Sequence, residues 1–507
     1  MVAEARYVPN TQLLSISVRS ELIHCTAQNL TTTVVKGLDS ARLATCRTSF
    51  SLTSPFPSQM PESVNTHFHS SEPFGTPTFV RETSEQFLVY IGGMRIRFAL
   101  PLLLSCVFLV GSPSLASDMA LVGARIYPSP AEPPIENGSI LIHNGHILAV
   151  GPTATIKVPQ DATVIDCKGL VVTAGFWNSH VHILTAGLLH AEKLSPEEVT
   201  SQLQEMFTRW GFTTVFDIAS VLQNTALIRR LIESGEVNGP KILSVGEPFW
   251  VKGGTPVYVR SFLETNHISI PEIESTAQAI GRVRQQIHDG ADGIKIFANS
   301  IEQNGILTMP LDLAKAIVDE AHRAGKPVFA HVSNNQGIEV AVQSGVDILA
   351  HTTPSDDLWS SPFAERLTAA HMALTPTLTL WDVEARKGNP SSDQIEKGMS
   401  RAAQQLKAFS QARGQVLFGT DVGYIEQFDT SEEFTWMSRA GMTFQKILAS
   451  LTTSPAQRFG YSNRSGRIAQ GMNADLVVLN GDPAQSTSAF SRVRYTIRDG
   501  KVIYSKK

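Results

Sequence analysis

The chain has 507 residues, of which 42% are hydrophobic and 17% are charged, a balance typical of a globular protein with room for two domains. A formal net charge of −4 offers no basic surface of the kind that binds nucleic acid, so we expect no nucleic-acid partner. No apolar run approaches the roughly 18 residues of a membrane-spanning helix, which excludes a multi-pass membrane protein.

Residues 1–93 are rich in Ser, Thr and Pro and lack sustained hydrophobic periodicity. We expect this stretch to be disordered or not translated, with translation beginning at Met94. It contains His67-Phe68-His69, but no predicted strand precedes these residues, so we assign them no role as metal ligands.

Residues 94–116 have the pattern of a secretory signal peptide. Arg95 and Arg97 supply the positive charge, Phe98–Val110 is the apolar segment, and Ser114-Leu115-Ala116 offers small residues for cleavage. The pattern predicts cleavage after Ala116, a periplasmic or secreted protein, and no stable membrane span in the mature chain.

The four cysteines share no metal-ligand spacing, which argues against both a disulfide framework and a thiolate zinc site. They are Cys25, Cys46, Cys106 and Cys167. A lipid-modified Cys106 and an uncleaved signal anchor are alternatives to signal cleavage, although the apolar run is short for a span. Cleavage would leave Cys167 as the only cysteine, which suits an oxidising compartment.

Short strand-like segments punctuated by Gly, Asn and Pro open and close the mature chain. ALVGARIYP and GSILIHNGHILAVG lie near its start, and ADLVVLNGDP and RVRYTIRDGKVIYS near its end. We predict that residues 117–172 and 465–507 together form a small β-sandwich domain.

Residues 173–464 alternate short apolar runs with helical stretches, the pattern of repeated βα units. The sequence therefore predicts an α/β fold, a (β/α)8 TIM barrel, which commonly needs about 250 residues. The eight predicted strands are VVTAGFWNSH, TTVFDI, KILSVG, GIKIFA, PVFAHV, VDILAH, ALTPTL and VLFGTD.

Ionisable residues fall in or at the ends of five of these strands, where barrel active sites form. Together they predict a metal site whose ligands are His180, His182, Lys295, His331, His351 and Asp421. Alternation within a strand would place His180 and His182 on one face. Taken singly, His331 or His351 could be a hydrogen-bonded structural histidine, and Asp421 a helix cap.

Lys295 is the most diagnostic residue of the set, because an unpaired ammonium inside a barrel is costly. One interpretation is that it pairs with Asp217 or Glu247, or reaches solvent. The other is that it reacts with CO2 to give a carbamate, an anion that could bridge two cations.

The order of these residues resembles that of the amidohydrolase superfamily, in the branch of imidazolonepropionase-like enzymes and Xaa-Pro dipeptidases. The resemblance covers about residues 118–505. The motifs that carry it are DGADGIKIFA, PVFAHVSNNQGIEVAVQSGVDILAH, VLFGTDVG, GRIAQGMNADLVVLNGDP and VRYTIRDGKVIY.

The resemblance implies a site for two divalent ions. His180, His182 and Asp421 would hold the more buried ion. His331 and His351 would hold the exposed ion. Carboxylated Lys295 and a hydroxide would bridge the two, with zinc favoured over manganese or cobalt.

The resemblance also implies a hydrolase acting on amide-type C–N bonds of a dipeptide or an N-acyl amino acid. The bridging hydroxide would attack the carbonyl, and Asp421 would serve as general base and then acid. Lactones and phosphotriesters are accessible to the same chemistry. The runner-up is a one-metal imidazolonepropionase-like hydrolase of cyclic amides, or a deaminase. A non-catalytic barrel acting as a binding protein is a remote alternative.

One segment departs from the family pattern. The usual Pro-Gly-x-x-Asp before the paired histidines is replaced by Ala174-Gly175-Phe176-Trp177-Asn178. Neither Ala174 nor Asn178 would be a ligand, so the departure concerns the surroundings of the metals.

Substrate specificity should come from the loops after the strands. In GEPFWVKGGTPVYVRSF we predict a lid, with Tyr258 or Arg260 gripping a carbonyl or carboxylate; a surface loop packed on the barrel is the alternative. Trp359 and Trp381 are predicted to line the pocket and Trp177 to pack in the barrel, while His322 and His371 are assigned no function. The substrate is a small molecule, and a homo-oligomer stays open.

Overall fold

The computed structural model describes residues 86–91, 94–99 and 119–506, and the chain forms two compact units, Met1–Gly111 and Ser112–Lys507. The predictions for residues 1–85, His67-Phe68-His69 among them, and for most of the signal peptide lie outside the described residues. In the described part of the first unit, 86–91 and 94–99 pair as an antiparallel hairpin. None of the helices that the structure describes is long and apolar enough to cross a membrane.

The strands are numbered in chain order. They are β1 (Gln86–Ile91), β2 (Met94–Ala99), β3 (Met119–Ile126), β4 (Ile135–His143), β5 (His146–Pro152), β6 (Thr163–Asp166), β7 (Val171–Ala174), β8 (Phe176–Val181), β9 (Phe212–Asp217), β10 (Lys241–Ser244), β11 (Ile294–Phe297), β12 (Asn299–Glu302), β13 (Gly305–Thr308), β14 (Val328–His331), β15 (Ile348–Ala350), β16 (Ala373–Thr375), β17 (Gln415–Val416), β18 (Leu476–Leu479), β19 (Val493–Arg498) and β20 (Lys501–Ser505).

The α-helices are numbered in the same way. They are α1 (Pro196–Met206), α2 (Leu222–Glu233), α3 (Val257–Thr265), α4 (Thr276–His288), α5 (Leu311–Arg323), α6 (Asn335–Ser344), α7 (Ser361–Ala369), α8 (Leu378–Arg386), α9 (Ser392–Gln411), α10 (Ser431–Arg439), α11 (Phe444–Leu451) and α12 (Thr453–Arg458).

Strands from the two ends of the second unit share one sheet. Its order is β20-β19-β18-β7-β3-β4-β5, with β6 paired to β3. Apolar residues on these strands, among them Leu121, Ile140, Val172 and Leu476, form their own buried cluster. Strands from both ends of this unit come together, as the sequence pattern predicted. Hydrogen bonds link them into a single sheet. Their separation as a β-sandwich domain stays a prediction.

Eight further strands run parallel in a TIM-barrel-like α/β arrangement. They form two sheets, β8-β9-β10 and β11-β14-β15-β16-β17, and no continuous ladder closes them into a barrel within the described residues. Several backbone hydrogen bonds cross each of the two gaps, among them those from Phe249 N to Lys295 O (2.8 Å) and from Ser179 N to Phe418 O (2.7 Å). The carboxyl ends of the parallel strands therefore still face one region.

Gly175 divides the first predicted barrel strand in two. A Cβ at this position would lie 2.2 Å from Thr213 Oγ1, so only glycine allows the chain to pass so close to β9. Its N–H donates to Asp475 O over 2.7 Å. As a result β7 belongs to the terminal sheet, and the parallel strands begin with β8, where the sequence predicted a single strand.

The helices follow the expected amphipathic logic. In α5, residues Leu313, Ile317 and Ala321 recur at helical spacing and are buried against the strands. Gly325, at φ 67, follows the helix in the left-handed conformation that commonly ends helices. Packing of this kind fixes each strand and so fixes the side chains at its carboxyl end.

Candidate metal centre

All six predicted ligands line one cavity of about 450 Å³ at the carboxyl ends of the parallel strands. Two lie at the end of β8, and the others follow from β11, β14, β15 and the loop after β17. The lining residues in question are His180, His182, Lys295, His331, His351 and Asp421. Residues up to 241 positions apart in the chain are therefore neighbours here, as Asp421 and His180 show.

Asp421 lies at the centre of the cluster. Its Oδ1 is 3.1 Å from His180 Nε2 and 2.7 Å from His182 Nε2, and its Oδ2 is 3.9 Å from His351 Nδ1. Donor atoms of His180, His351 and Asp421 all lie within 4.8 Å of one another. The ring of His331 is 5.0 Å from that of His351. Three of these side chains could therefore hold one cation, with His182 and His331 beside them.

Hydrogen bonds select the tautomers of the paired histidines. Thr375 Oγ1 donates to Leu349 O (3.2 Å), so toward His180 Nδ1 (3.3 Å) it acts as acceptor, and that nitrogen carries the hydrogen. His182 Nδ1 lies 3.0 Å from Ala219 O, which can only accept. Both histidines therefore present a bare Nε2, the state in which imidazole binds a metal.

The same logic applies to His351. The Thr377 hydroxyl donates to Pro376 O (2.9 Å) and so accepts from His351 Nδ1 over 2.7 Å. The Nε2 of His351 is left as a free lone pair. At His331 the arrangement is reversed, because Nε2 contacts Ser333 Oγ (3.2 Å) and leaves Nδ1 available.

Two buried atoms of the cluster have no hydrogen-bond partner among the described residues. They are His180 Nε2 and Asp421 Oδ1, which face each other but do not align as a hydrogen bond. A buried polar atom without a partner costs free energy, so such atoms in a folded protein require an explanation. A divalent cation between nitrogen and oxygen donors would satisfy both, and the donor set suits zinc.

Burial and neighbouring groups favour the protonation state that can bind a metal, with neutral imidazole and ionised carboxylate. Burial lowers the pKa of His180 and of His331 to about 3, and it holds that of His351 well below its ordinary value. Burial by itself would raise the pKa of Asp421, but His180 and His182 beside it hold that pKa well below its usual range. The cluster therefore presents neutral imidazoles at His180, His331 and His351 and an ionised carboxylate at Asp421 at neutral pH.

Lys295 is buried and forms no ion pair within the described residues. Burial lowers the pKa of its ammonium to about 7. Asp217 accepts hydrogen bonds from Ser220, Thr225 and Ser244 instead. The carboxylate of Glu247, the other expected partner, accepts from a backbone N–H. The amine is therefore neutral in a large fraction of molecules near pH 7.

The backbone around the site is held in uncommon conformations. His351, Thr377 and Asp421 adopt positive φ angles of 81, 46 and 64 degrees. Such residues cost free energy and concentrate at functional sites. Gly423 lies two residues after Asp421, and a Cβ there would lie 1.8 Å from His182 O, so the loop passes directly against the backbone of His182.

Sequence reasoning missed the residues that orient the ligands. Thr375 and Thr377 follow from β16, in the predicted strand ALTPTL, and their place at a strand end is the signal that could have found them. Asn178, noted only as a departure, donates to Thr420 Oγ1 (2.8 Å) and accepts from His180 N (3.3 Å). Glu433, whose carboxylate accepts from Leu378 N (2.9 Å) and Thr379 N (2.7 Å) directly after Thr377, had no sequence signal.

Only some of the residues predicted to contact substrate line the cavity. Tyr258 and Trp381 line the cavity, whereas Arg260 is not among its lining residues and pairs with Glu302. The expectation for Trp359 was wrong, because this side chain is buried in the core against Phe363 and Phe409. Trp177 packs in the core as predicted, stacked with Phe459. His322, in α5, and His371, in a turn, are likewise absent from the cavity lining.

Parallel strands that deliver imidazoles and a carboxylate to one edge are the arrangement of a TIM-barrel-like enzyme. The chain belongs to the Amidohydrolase family, whose sequence profile matches residues 171–503.

Relatives within this family are distant. An ochratoxinase from Aspergillus niger is 23% identical over 432 residues, which cover 78% of this chain and 88% of the relative. An adenine deaminase from Clostridium botulinum is 25% identical over 244 residues, 48% of this chain and 36% of the deaminase. The crystal structure of a Xaa-Pro dipeptidase with bound methionine aligns with a TM-score of 0.64 at 23% identity, covering 77% of this chain and 100% of that one.

Proposed function

We propose that the chain is a binuclear metal-dependent hydrolase that cleaves amide C–N bonds in dipeptide-like or N-acyl amino acid-like substrates. The observation that carries this proposal is a pair of buried atoms that lack hydrogen-bond partners and could bind a metal, His180 Nε2 and Asp421 Oδ1. The similarity to an ochratoxinase and to the fold of a Xaa-Pro dipeptidase supports it.

The ligand residues would divide between two ions. His180, His182 and Asp421 would hold the inner ion, and His331 and His351 the outer one. Bound divalent ions supply two effects, a lowered pKa of water and polarisation of a carbonyl oxygen. Zinc is favoured because imidazoles and oxygen donors suit it, although manganese and cobalt use the same ligands.

Asp421 would move the proton. Its pKa is held below the ordinary range, so it is a carboxylate at neutral pH and can accept a proton from the attacking water. The same group would then donate that proton to the departing nitrogen as the C–N bond breaks, which returns the carboxylate to its starting state. Replacing Asp421 with Asn removes both steps.

Lys295 would act as an anion and not as an ammonium. A neutral amine is required, because its nitrogen bonds to the carbon of CO2 and releases one proton to water; burial supplies that amine by lowering the pKa to about 7. The carbamate would supply charged oxygen atoms at the end of the Lys295 side chain. Among the described residues, no carboxylate forms an ion pair with Lys295. The carbamate oxygens would serve as further anionic ligands for the bound ions.

Metal content tests the binuclear proposal directly. We expect two ions per chain after loading with zinc, together with a carbamate signal in the ¹³C spectrum of protein supplied with ¹³C-bicarbonate. Lys295→Met should abolish that signal. One ion per chain with unmodified Lys295 would favour the alternative, a one-metal cyclic-amide hydrolase or deaminase, which the adenine deaminase similarity supports.

Turnover tests the bond type. Metal-loaded protein assayed against dipeptides and N-acyl amino acids should release the free amine, and Asp421→Asn should lower the rate by about 10³-fold or more. Activity on lactones alone would contradict cleavage of C–N bonds.

Three further features stay proposals. They are a closed (β/α)8 barrel over residues 173–464, a β-sandwich from 117–172 and 465–507, and export through the signal peptide at 94–116. The export proposal predicts that secreted protein begins at Ser117, as mass spectrometry would show. An intact Met1 in that material would overturn it.

A further inference from the structure

Residues 252–272, here called the lid segment, leave and rejoin the fold at one point beside the cavity. Lys252 N donates to Ile273 O over 3.0 Å, and Ile273 N donates to Trp250 O over 2.7 Å. The ends of the segment are therefore joined, as in a compact surface loop. Helix α3 lies in its middle.

Polar contacts hold the base and the outer side of the lid segment. The Glu272 carboxylate accepts from Gly253 N (2.8 Å) and from the Thr255 hydroxyl (2.6 Å). Arg260 donates from Nε to Thr255 O (3.0 Å) and pairs through its guanidinium with Glu302, on the β12–β13 hairpin. These contacts fix α3 in place without using the side that faces the cavity.

The cavity side of the lid segment is apolar. No residue of α3 is buried, and the segment's apolar side chains join no hydrophobic core of the described chain. Six of them line the cavity instead, namely Tyr258, Val259, Phe262, Leu263, Ile268 and Ile270. The helical members recur at spacings of one and four residues, which places them on one face of α3.

Most of the cavity lining outside the lid segment and the metal centre is also apolar. It includes Trp250, Phe297, Ile301, Leu380 and Trp381. Of the charged side chains in the lining, Lys387 and Glu384 pair with each other at 2.6 Å. Apart from this pair, the charged groups are those of the metal centre.

We propose that the lid segment is the specificity-determining wall of the site and selects amides that carry a bulky apolar group, aromatic or long aliphatic. The inference rests on the proposed function and names its substrate class. A small polar substrate would leave this apolar lining facing water, whereas a bulky apolar group bound in the cavity would remove the lining and itself from water. Phe262 and Leu263 contribute large aromatic and aliphatic surfaces from the inner side of α3.

Two substrate series test this on metal-loaded full-length protein. One is N-acyl-L-alanine from acetyl to octanoyl, and the other is N-acetyl amino acids from glycine to phenylalanine. Burial of each added methylene is expected to raise kcat/KM about three- to fourfold in at least one series. The double variant Phe262→Ala, Leu263→Ala should flatten that slope to below about twofold per methylene.

Glu264→Ala is the matched control, because Glu264 is exposed on the same helix and does not line the cavity. It should keep the wild-type slope. A flat slope in both series, or equal loss in the control and the double variant, would overturn the inference.

Binding separates this inference from the proposed function. Trp250 and Trp381 line the cavity, so their fluorescence should report binding of N-octanoyl-L-alanine to the inert Asp421→Asn variant. Affinity that grows with acyl length in this variant, without turnover of any amide by wild type, would support the apolar subsite and refute amide hydrolysis. Affinity independent of acyl length would refute the subsite.

Discussion

His351 donates its Nδ1 hydrogen to Thr377 Oγ1 over 2.7 Å, and both residues have left-handed backbone, at φ 81 and 46 degrees. A ligand that follows one strand is thus oriented by a hydroxyl that follows the next. The Thr377 hydroxyl donates its single hydrogen to Pro376 O, so it can only accept a hydrogen bond from His351. The strained backbone and the hydrogen bond together aim one lone pair of His351 into the cavity.

We predict that Thr377→Val weakens metal binding. The variant removes the acceptor that fixes the tautomer of His351, and loss of such a partner typically costs about 10- to 100-fold in metal affinity. Competition with a chelator measures the affinity of each ion. Thr377→Ser retains the hydroxyl and should bind within about threefold of wild type; equal affinities for the Val and Ser variants would show that the hydrogen bond has no such role.

Glu433 is expected to stabilise the backbone that directly follows Thr377. It is fully buried on α10 and accepts from Leu378 N (2.9 Å), Thr379 N (2.7 Å) and the Thr379 hydroxyl (2.9 Å), directly after Thr377. Glu433→Ala leaves these donors buried without a partner, so we expect the free energy of unfolding to fall by at least about 2 kcal/mol. Denaturant unfolding measures this.

The neighbouring Glu432→Ala is the control for Glu433, because Glu432 is exposed on the same helix. Its free energy of unfolding should change by less than about 0.5 kcal/mol. Similar losses of unfolding free energy in the two variants would show that the hydrogen bonds from Leu378 and Thr379 to Glu433 do not stabilise the fold.

Gly423→Ala should disrupt the site. A Cβ at Gly423 would lie 1.8 Å from His182 O, and the residue has a φ of 102 degrees. We expect a loss of more than about 3 kcal/mol in the free energy of unfolding, together with loss of bound metal. Gly441 is the control for backbone strain alone, because it has a φ of 79 degrees and a Cβ there would meet nothing within 4 Å. Gly441→Ala should therefore cost about 1 kcal/mol.

The stability of metal-free protein should fall with acid. In the unfolded chain His180 takes up a proton near its ordinary pKa of 6.5, whereas in the fold burial delays this to about 3. The unfolded state therefore binds more protons within this window, so the free energy of unfolding decreases as the pH is lowered through it. The slope contributed by this group is about 1.4 kcal/mol per pH unit.

Denaturant unfolding in chelator between about pH 6 and 4 measures that slope. His180→Asn removes the titrating group, so its curve should be flatter than that of wild type by about one proton. Curves that run parallel would show that His180 is protonated to the same extent in both states.

Much of the site could be predicted from local pattern. Alternation within a strand places His180 and His182 two residues apart on one face, and strand ends gave the positions of His331, His351 and Asp421. Parallel strands bring their carboxyl ends to one edge, so the ligands converge without knowledge of their contacts. The closed ladder was not observed, and the first strand is divided because Gly175 approaches Thr213, a contact that no periodicity reveals.

Residue types and their strand-end positions determined by themselves that this chain carries a cluster of candidate metal-binding side chains on a parallel α/β fold. Tertiary structure decided which nitrogen each histidine presents, that Arg260 pairs with Glu302 and that Trp359 is buried in the core. The physical reason is range. Periodicity depends on neighbours within a few residues, whereas hydrogen bonds such as that from Thr379 to Glu433 exist only once distant helices have packed together.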